Sequence, residues 1–180
     1  MIEKEKPMHQ VHNIEPVYDE HSRVLILGSF PSVKSRETQF FYGHKQNRFW
    51  KVLAGILDCE VPQTVEEKKA MLLSHHIAVW DVIGTCTITG SSDSSIRDVV
   101  PNDISRILDQ APIQLICANG NKSWELYQKY LYPQTKREAV KLPSTSPANA
   151  AFRLENLIEE WNIIKKEIRP YEHESENCPD

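Results

Sequence analysis

Asn47 is the residue whose type and surroundings best suit a catalytic role. Its side-chain oxygen can accept a hydrogen bond from a water molecule in a pocket. Asn is also a preferred helix N-cap, where the same oxygen would accept a backbone N–H. The apolar residues that follow Asn47 predict a helix running to Leu57, so the two roles compete for one oxygen. On residue type alone the cap is favoured.

Two aromatic residues precede Asn47 and are suited to holding a flat ligand. Phe41 and Tyr42 offer planar faces, and Gly43 allows the backbone to approach a ligand closely. Aromatic side chains belong to the core more often than to a site. We therefore expect Tyr42 to lie in the pocket, with Phe41 as the second candidate.

Polar segments follow three short apolar runs elsewhere in the chain. These segments are residues 28–32, Asp81 with the residues after it, and residues 143–149. The apolar runs are typical of buried strands, and the carboxyl ends of parallel strands meet at one edge of a sheet. The sequence therefore predicts a ligand-binding cleft where these segments converge.

The elements that must position these residues alternate between strand and helix patterns. Strands are predicted at residues 24–27, 77–80, 113–118 and 139–142, and helices after Asn47, from Thr64, at 101–108, at 122–131 and from Asn149 to Pro170. Residues 1 to about 11 are predicted to be a loose arm and residues 85–95 an irregular loop. This order favours an α/β fold with a parallel sheet covered by helices on both faces.

Length and composition favour one domain over residues 1–170, followed by an acidic tail at 171–180 that we expect to be disordered. The four cysteines form no Cys-x-x-Cys pair, so we expect no metal and no iron–sulfur cluster, and buried reduced thiols for the two that lie in apolar runs. The chain shows neither a signal peptide nor an apolar run long enough to span a bilayer. We therefore expect no membrane partner and a cytoplasmic location, or a nuclear one in a eukaryotic host.

Four motifs in sequence order resemble the uracil-DNA glycosylase superfamily, and most closely its hypoxanthine-DNA (deoxyinosine) glycosylase branch. They are LILGSFPS at residues 25–32, YGHKQNRFW at 42–50, AVWDV at 78–82 and LPSTSPAN at 142–149. The resemblance implies a three-layer α/β/α sandwich around a mainly parallel four-stranded sheet. It also implies a monomeric, monofunctional, cofactor-free DNA glycosylase that flips a deaminated base, chiefly hypoxanthine, and hydrolyses its N-glycosidic bond with an oriented water.

The same resemblance assigns roles to individual residues. Asn47 matches the family's catalytic position, which favours the water role over the cap. The residues implied to bind the base are Gly28, Phe30, Phe41, Tyr42 and Asp81, and those implied to bind DNA are Ser32, Arg48, Ser144, Ser146, Pro147 and Asn149. Asp81 would accept the N1–H of hypoxanthine, although an Asp that caps the next turn is an equally good interpretation. The Ser-Pro segment is equally typical of a plain connection into a helix.

Charge bears on the DNA assignment in two ways. A net charge of −4 is unusual for a DNA-binding protein, because phosphate contacts need Lys and Arg. The last ten residues carry four acidic and no basic side chains, so the rest of the chain is neutral. Basic residues also concentrate in residues 34–51, which predicts a phosphate-contacting rim, although such runs are usually ordinary solvated surface.

Two positions depart from the family pattern. Phe30 stands in a turn where many members carry Asp or Asn to activate water, and Leu142 stands where relatives that excise uracil often have His. These departures put strong base activation and uracil excision in doubt. They keep two alternatives open: a mismatch-specific uracil/thymine-DNA glycosylase, and a non-catalytic binder of DNA or nucleotides.

Overall fold

The computed structural model describes residues 6–168. Its strands are β1 (Met8–Val11), β2 (Val24–Gly28), β3 (Ile77–Asp81), β4 (Ile83–Ile88), β5 (Arg97–Pro101), β6 (Leu115–Asn119) and β7 (Ala139–Leu142). Its α-helices are α1 (Val33–Thr38), α2 (Phe49–Leu57), α3 (Val65–Ser74), α4 (Ser105–Leu108), α5 (Asn121–Leu126), α6 (Tyr132–Thr135), α7 (Leu154–Trp161) and α8 (Lys165–Ile168). A π-helical turn, Tyr127–Leu131, joins α5 to α6.

A four-stranded parallel sheet, in the order β3-β2-β6-β7, forms the centre of the fold. Every residue of β2 and β3 is buried, which explains why both strands are almost wholly apolar in sequence. Helices flank this sheet, so the predicted α/β architecture with four parallel strands is confirmed. The third of these strands begins at Leu115, two residues later than predicted.

A second, antiparallel sheet in the order β1-β4-β5 was not predicted. Residues 8–11 of the supposed loose arm form β1, and residues 85–88 of the supposed irregular loop belong to β4, so both predictions are wrong there. The β-branched residues of β4 favour a strand, and Cys86 and Ile88 alternate with less buried neighbours. Pairing with β4 orders the arm, which has no apolar pattern of its own.

The predicted cap of α3 is confirmed, whereas other helix starts differ from the prediction. Thr64 and Glu67 form the predicted capping box of α3, with Thr64 Oγ1 accepting the Glu67 N–H at 3.1 Å. Helix α1 was not predicted, and α4 begins at Ser105 because Pro101 lies in β5. The last helix begins at Leu154 rather than near Asn149, and a 3₁₀ turn, Asn162–Ile164, separates α7 from α8.

Apolar side chains from both sheets and the flanking helices form one buried cluster. Cys86 and Cys117 lie in it as buried thiols, as predicted, and burial raises the pKa of Cys117 to about 12. None of the helices within residues 6–168 has the length and apolar character needed to cross a bilayer. The predicted acidic tail lies outside the described residues.

Candidate active site

A cavity of about 290 Å³ opens at the carboxyl edge of the parallel sheet. The ends of β2, β3 and β6 and the segment after β7 contribute to its wall through Gly28, Asp81, Asn119 and Ser144. All predicted site residues except Arg48 and Asn149 line it: Gly28, Phe30, Ser32, Phe41, Tyr42, Asn47, Asp81, Ser144, Ser146 and Pro147. The strand order therefore brings together segments that lie far apart in sequence.

Asn47 lies in the cavity wall immediately before α2, and its side-chain oxygen has two internal partners. Oδ1 accepts the Phe49 N–H at 3.0 Å and the Thr145 hydroxyl at 2.8 Å. An amide oxygen has two acceptor sites, so these bonds fill both. The N-cap position of α2 is Arg48, so the predicted N-cap at Asn47 is wrong by one residue, and the bond to Phe49 closes a turn just before the helix. Because both acceptor sites are filled, Oδ1 is not free to accept from a water. Among residues 6–168, Nδ2 has no hydrogen-bond partner and remains available for a ligand or a water.

A side-chain network fixes the rotamer of Asn47. Asn119, at the end of β6, donates from Nδ2 to Thr145 Oγ1 at 3.0 Å and accepts the Thr145 N–H at 3.1 Å. Thr145 is fully buried, and its hydroxyl donates a hydrogen bond to Asn47 Oδ1. The network therefore ties the first turn of α2 to the ends of β6 and β7, and rigid support of this kind keeps a functional side chain in place.

Tyr42 lies in the turn between α1 and α2 with a φ of 52°, which is an uncommon, left-handed conformation for a residue other than Gly. Its ring stacks on Phe49 with a centroid separation of 3.9 Å and an interplanar angle of 21°. Its hydroxyl is buried and unpartnered within the described part of the chain. Burial, and secondarily the charge of Asp81, raises the pKa of this hydroxyl well above its usual range, although the Asn119 side chain acts in the opposite direction. The hydroxyl therefore stays protonated and can donate.

Asp81 is the one buried carboxylate within residues 6–168, with 4% of its surface exposed. Its Oδ2 lies 2.8 Å from Nε2 of His12, and both side chains are almost completely buried. Asn102 donates from its side chain to the backbone oxygens of Asp81 and Ile83, at 2.9 and 3.1 Å, which holds the end of β3. Asp81 is thus held from two directions.

Gly28 permits the close approach of these groups. A Cβ at this position would overlap Asp81 Oδ1 and lie 3.1 Å from the Tyr42 hydroxyl. Both polar groups therefore approach the same side of Gly28, where the cavity floor is formed by backbone alone. Any larger residue would displace the carboxylate.

The Arg48 guanidinium binds this chain itself, and these donors are not free for the phosphate contact that was predicted. Its guanidinium donates to the backbone oxygens of Phe152, Ser146 at 3.1 Å and Asn149 at 3.0 Å. Asn149 lies outside the cavity and donates from its side chain to the Ser144 oxygen at 3.0 Å. Arg48 and Asn149 therefore shape the Ser-Pro segment from within.

The other predicted contact residues have partners within the chain or pack against the core. Ser32 caps α1, accepting the Ser35 N–H at 3.1 Å, and Ser146 accepts the Ala148 N–H at 3.2 Å. Phe41 is 2% exposed and belongs mainly to the core, whereas Phe30 is half-buried with the Arg36 guanidinium 5.5 Å from its ring centre. Of the basic residues predicted to form a rim, those that remain exposed are Lys34, Lys45 and Lys51.

Sequence reasoning missed His12, Asn119 and Thr145. The rule that selected Asp81, a polar residue at the end of an apolar strand, applies equally to Asn119 and could have found it. Thr145 lay within a segment already singled out. His12 carried no signal, because it follows a strand that only pairing with β4 reveals.

Comparisons with known proteins agree with this geometry. A family model described as the uracil DNA glycosylase superfamily matches residues 15–165. A curated protein of Methanosarcina acetivorans named hypoxanthine DNA glycosylase is 37% identical over 150 residues, which cover 82% of this chain and 93% of the relative. A protein of the same name from Methanosarcina barkeri is 35% identical over 136 residues, 74% of this chain and 85% of the relative.

A solved structure shows the same fold. The solution NMR structure of a candidate uracil DNA glycosylase from Methanosarcina acetivorans superposes with a TM-score of 0.76 at 34% identity, covering 90% of this chain and 99% of that chain. The family match covers both sheets except β1, and every predicted site residue lies within it. The chain therefore belongs to the uracil DNA glycosylase superfamily.

Proposed function

We propose that this protein is a monofunctional DNA glycosylase that hydrolyses the N-glycosidic bond of deaminated bases, chiefly hypoxanthine. The observation that carries the proposal is the joint placement of Asn47, Tyr42 and Asp81 in one cavity at the sheet edge. An amide, a phenol and a buried carboxylate supply a water-positioning group, a donor and an acceptor. The names of the relatives from Methanosarcina support hypoxanthine as the base.

The cavity dimensions support base flipping. Pockets for small ligands span roughly 300–1,000 Å³, so a cavity of about 290 Å³ suits one base and excludes a stacked duplex. An enzyme acting on a base inside DNA must therefore extrude it from the stack. The Ser-Pro segment and Ser32, which line the cavity, would contact the flanking phosphates, together with the exposed Lys34, Lys45 and Lys51.

Hydrogen-bond polarity would favour hypoxanthine over adenine. Hypoxanthine carries an N1–H next to a C6 carbonyl, whereas adenine presents a lone pair at N1 and an amino group at C6. Asp81 can accept the N1–H, and the protonated hydroxyl of Tyr42 beside it can donate to O6. With adenine, the N1 lone pair would face the Asp81 carboxylate and the C6 amino group would face the Tyr42 hydroxyl. Buried polar groups that lose their partners in this way disfavour a substrate strongly.

Asn47 would position the attacking water through Nδ2, because Oδ1 is occupied by Phe49 and Thr145. A neutral amide orients water without removing its proton, and Phe30 supplies no base in the first turn. The bond to the base must therefore be largely broken before the water attacks. Hypoxanthine, whose charge on leaving is delocalised over two rings, tolerates such a site.

The direct test is excision from defined duplexes. Oligonucleotides containing hypoxanthine, uracil or a G·T mismatch are incubated with the protein and a chelator, and abasic sites are then cleaved with alkali. We expect strand cleavage at hypoxanthine at a rate far above that at the other two. Cleavage confined to uracil or thymine would favour the mismatch-specific alternative. Binding without cleavage of any duplex would establish the non-catalytic one.

A further inference from the structure

We propose that His12 is a positioning residue that presents Asp81 to the base, which makes the end of the β1 segment part of the recognition site. The inference rests on the proposed function, because it concerns how that function selects its base. His12 Nε2 lies 2.8 Å from Asp81 Oδ2, with 1% and 5% of the two side chains exposed. None of the family motifs includes His12, which also precedes the region matched by the family model.

The second ring nitrogen of His12 has its own partner. The Ile14 backbone N–H donates to Nδ1 at 3.3 Å, which leaves Nε2 as the ring nitrogen that can donate to Asp81. The contact through Nε2 fixes the direction of the carboxylate, so that Asp81 can accept the N–H of a bound base.

Three aromatic rings seal this contact from solvent. The His12 ring lies edge-on to Phe30 at 6.0 Å and to Trp80 at 6.2 Å, and it lies 6.2 Å from Phe41 in a tilted arrangement. A hydrogen bond in such a dry environment is stronger than one in water. This enclosure gives Phe30 a structural role, because its ring shields the His12–Asp81 contact from solvent.

The two carboxylate oxygens of Asp81 have different roles. Oδ2 accepts from His12, while Oδ1 approaches Gly28 at the cavity floor. Without the His12 donor, rotation about the Asp81 side chain would become easier and Oδ1 would lose its fixed direction. Because the base meets Asp81 before and during bond cleavage, a misdirected acceptor would weaken base engagement and slow the chemical step.

The test uses three substitutions of His12 that separate hydrogen bonding from packing. His12→Gln places an amide donor near the position of Nε2, His12→Asn places its donor near Nδ1, out of reach of Asp81, and His12→Phe keeps the ring but has no donor. We expect single-turnover excision of hypoxanthine to fall about 10- to 100-fold in the Phe and Asn variants and less than about fivefold in Gln. In an Asp81→Asn background the three substitutions should lose most of this difference.

A packing role predicts the opposite order, because Phe preserves the aromatic contacts that Gln loses. His9→Phe is the matched control: His9 is exposed in β1, just before His12, and this variant should excise hypoxanthine at the parental rate. Melting temperatures are measured for all variants, and the Gln against Asn comparison decides if the Phe variant does not fold. A Phe variant at least as active as Gln, or equal rates for Gln and Asn, would overturn the inference alone. A wild-type protein that releases no hypoxanthine would overturn the proposed function and this inference together.

Discussion

Replacement of Asn47 by Ala and by Asp separates its structural role from its chemical role. Ala removes the acceptor for the Phe49 N–H at the start of α2, a loss of about 1 kcal/mol, and leaves the buried Thr145 hydroxyl without its acceptor, about 1 kcal/mol more. The sum of about 2 kcal/mol corresponds to a fall in melting temperature of roughly 4–8 °C for a chain of this size. Single-turnover excision of hypoxanthine should fall ~100-fold or more, as is typical for one lost catalytic group.

The Asp variant keeps both acceptor contacts and loses the Nδ2 donor. Its melting temperature should therefore stay within about 2 °C of the parent. A carboxylate can take a proton from water, so we expect its excision rate to lie between those of the parent and the Ala variant.

The control is Thr64→Ala, which removes the N-cap of α3, at a residue that does not line the cavity. It should lower the melting temperature by roughly 2–4 °C and leave excision at the parental rate. The reasoning is refuted if the Ala variant of Asn47 is destabilised as expected but excises hypoxanthine as fast as the parent. Asn47 would then have a structural role only.

Three further changes test other parts of the site. Gly28→Ala should lower the rate of hypoxanthine excision at least tenfold, because the new methyl group displaces the Asp81 carboxylate. A parental excision rate in a kinetic assay would show that the site accommodates the methyl group. Arg48→Lys removes the guanidinium that donates to three backbone carbonyls and should lower the free energy of unfolding by about 2 kcal/mol. An unchanged midpoint of denaturant unfolding would contradict a stabilising role for these bonds. Because the folded protein holds the Tyr42 proton that the unfolded chain releases above pH about 10, stability should fall by up to about 1.4 kcal/mol per pH unit there. Tyr42→Phe should remove this contribution to the dependence of unfolding free energy on pH, measured from unfolding curves at pH 9 to 11. The same pH dependence in both proteins would contradict the assignment to Tyr42.

Local patterns were sufficient for the elements whose own residues encode them. The apolar runs of β2 and β3 and the capping box of α3 were predicted because burial on both faces and side-chain capping leave signatures within a few residues. The prediction failed for β1, whose residues are mostly exposed and show no apolar alternation. Its conformation depends on pairing with β4, a contact with residues about 75 positions away.

The sequence by itself determined the α/β order, the parallel sheet and the segments that meet at its edge, because each depends on short-range patterns and on the rule that parallel strands end together. Only the tertiary structure decided what individual atoms do. In the folded protein the Asn47 side-chain oxygen accepts from Phe49 and Thr145, the Arg48 guanidinium donates to backbone carbonyls, and His12 contacts Asp81. Hydrogen-bond partners across 69 to 98 residues depend on packing geometry, which the type of a residue does not specify.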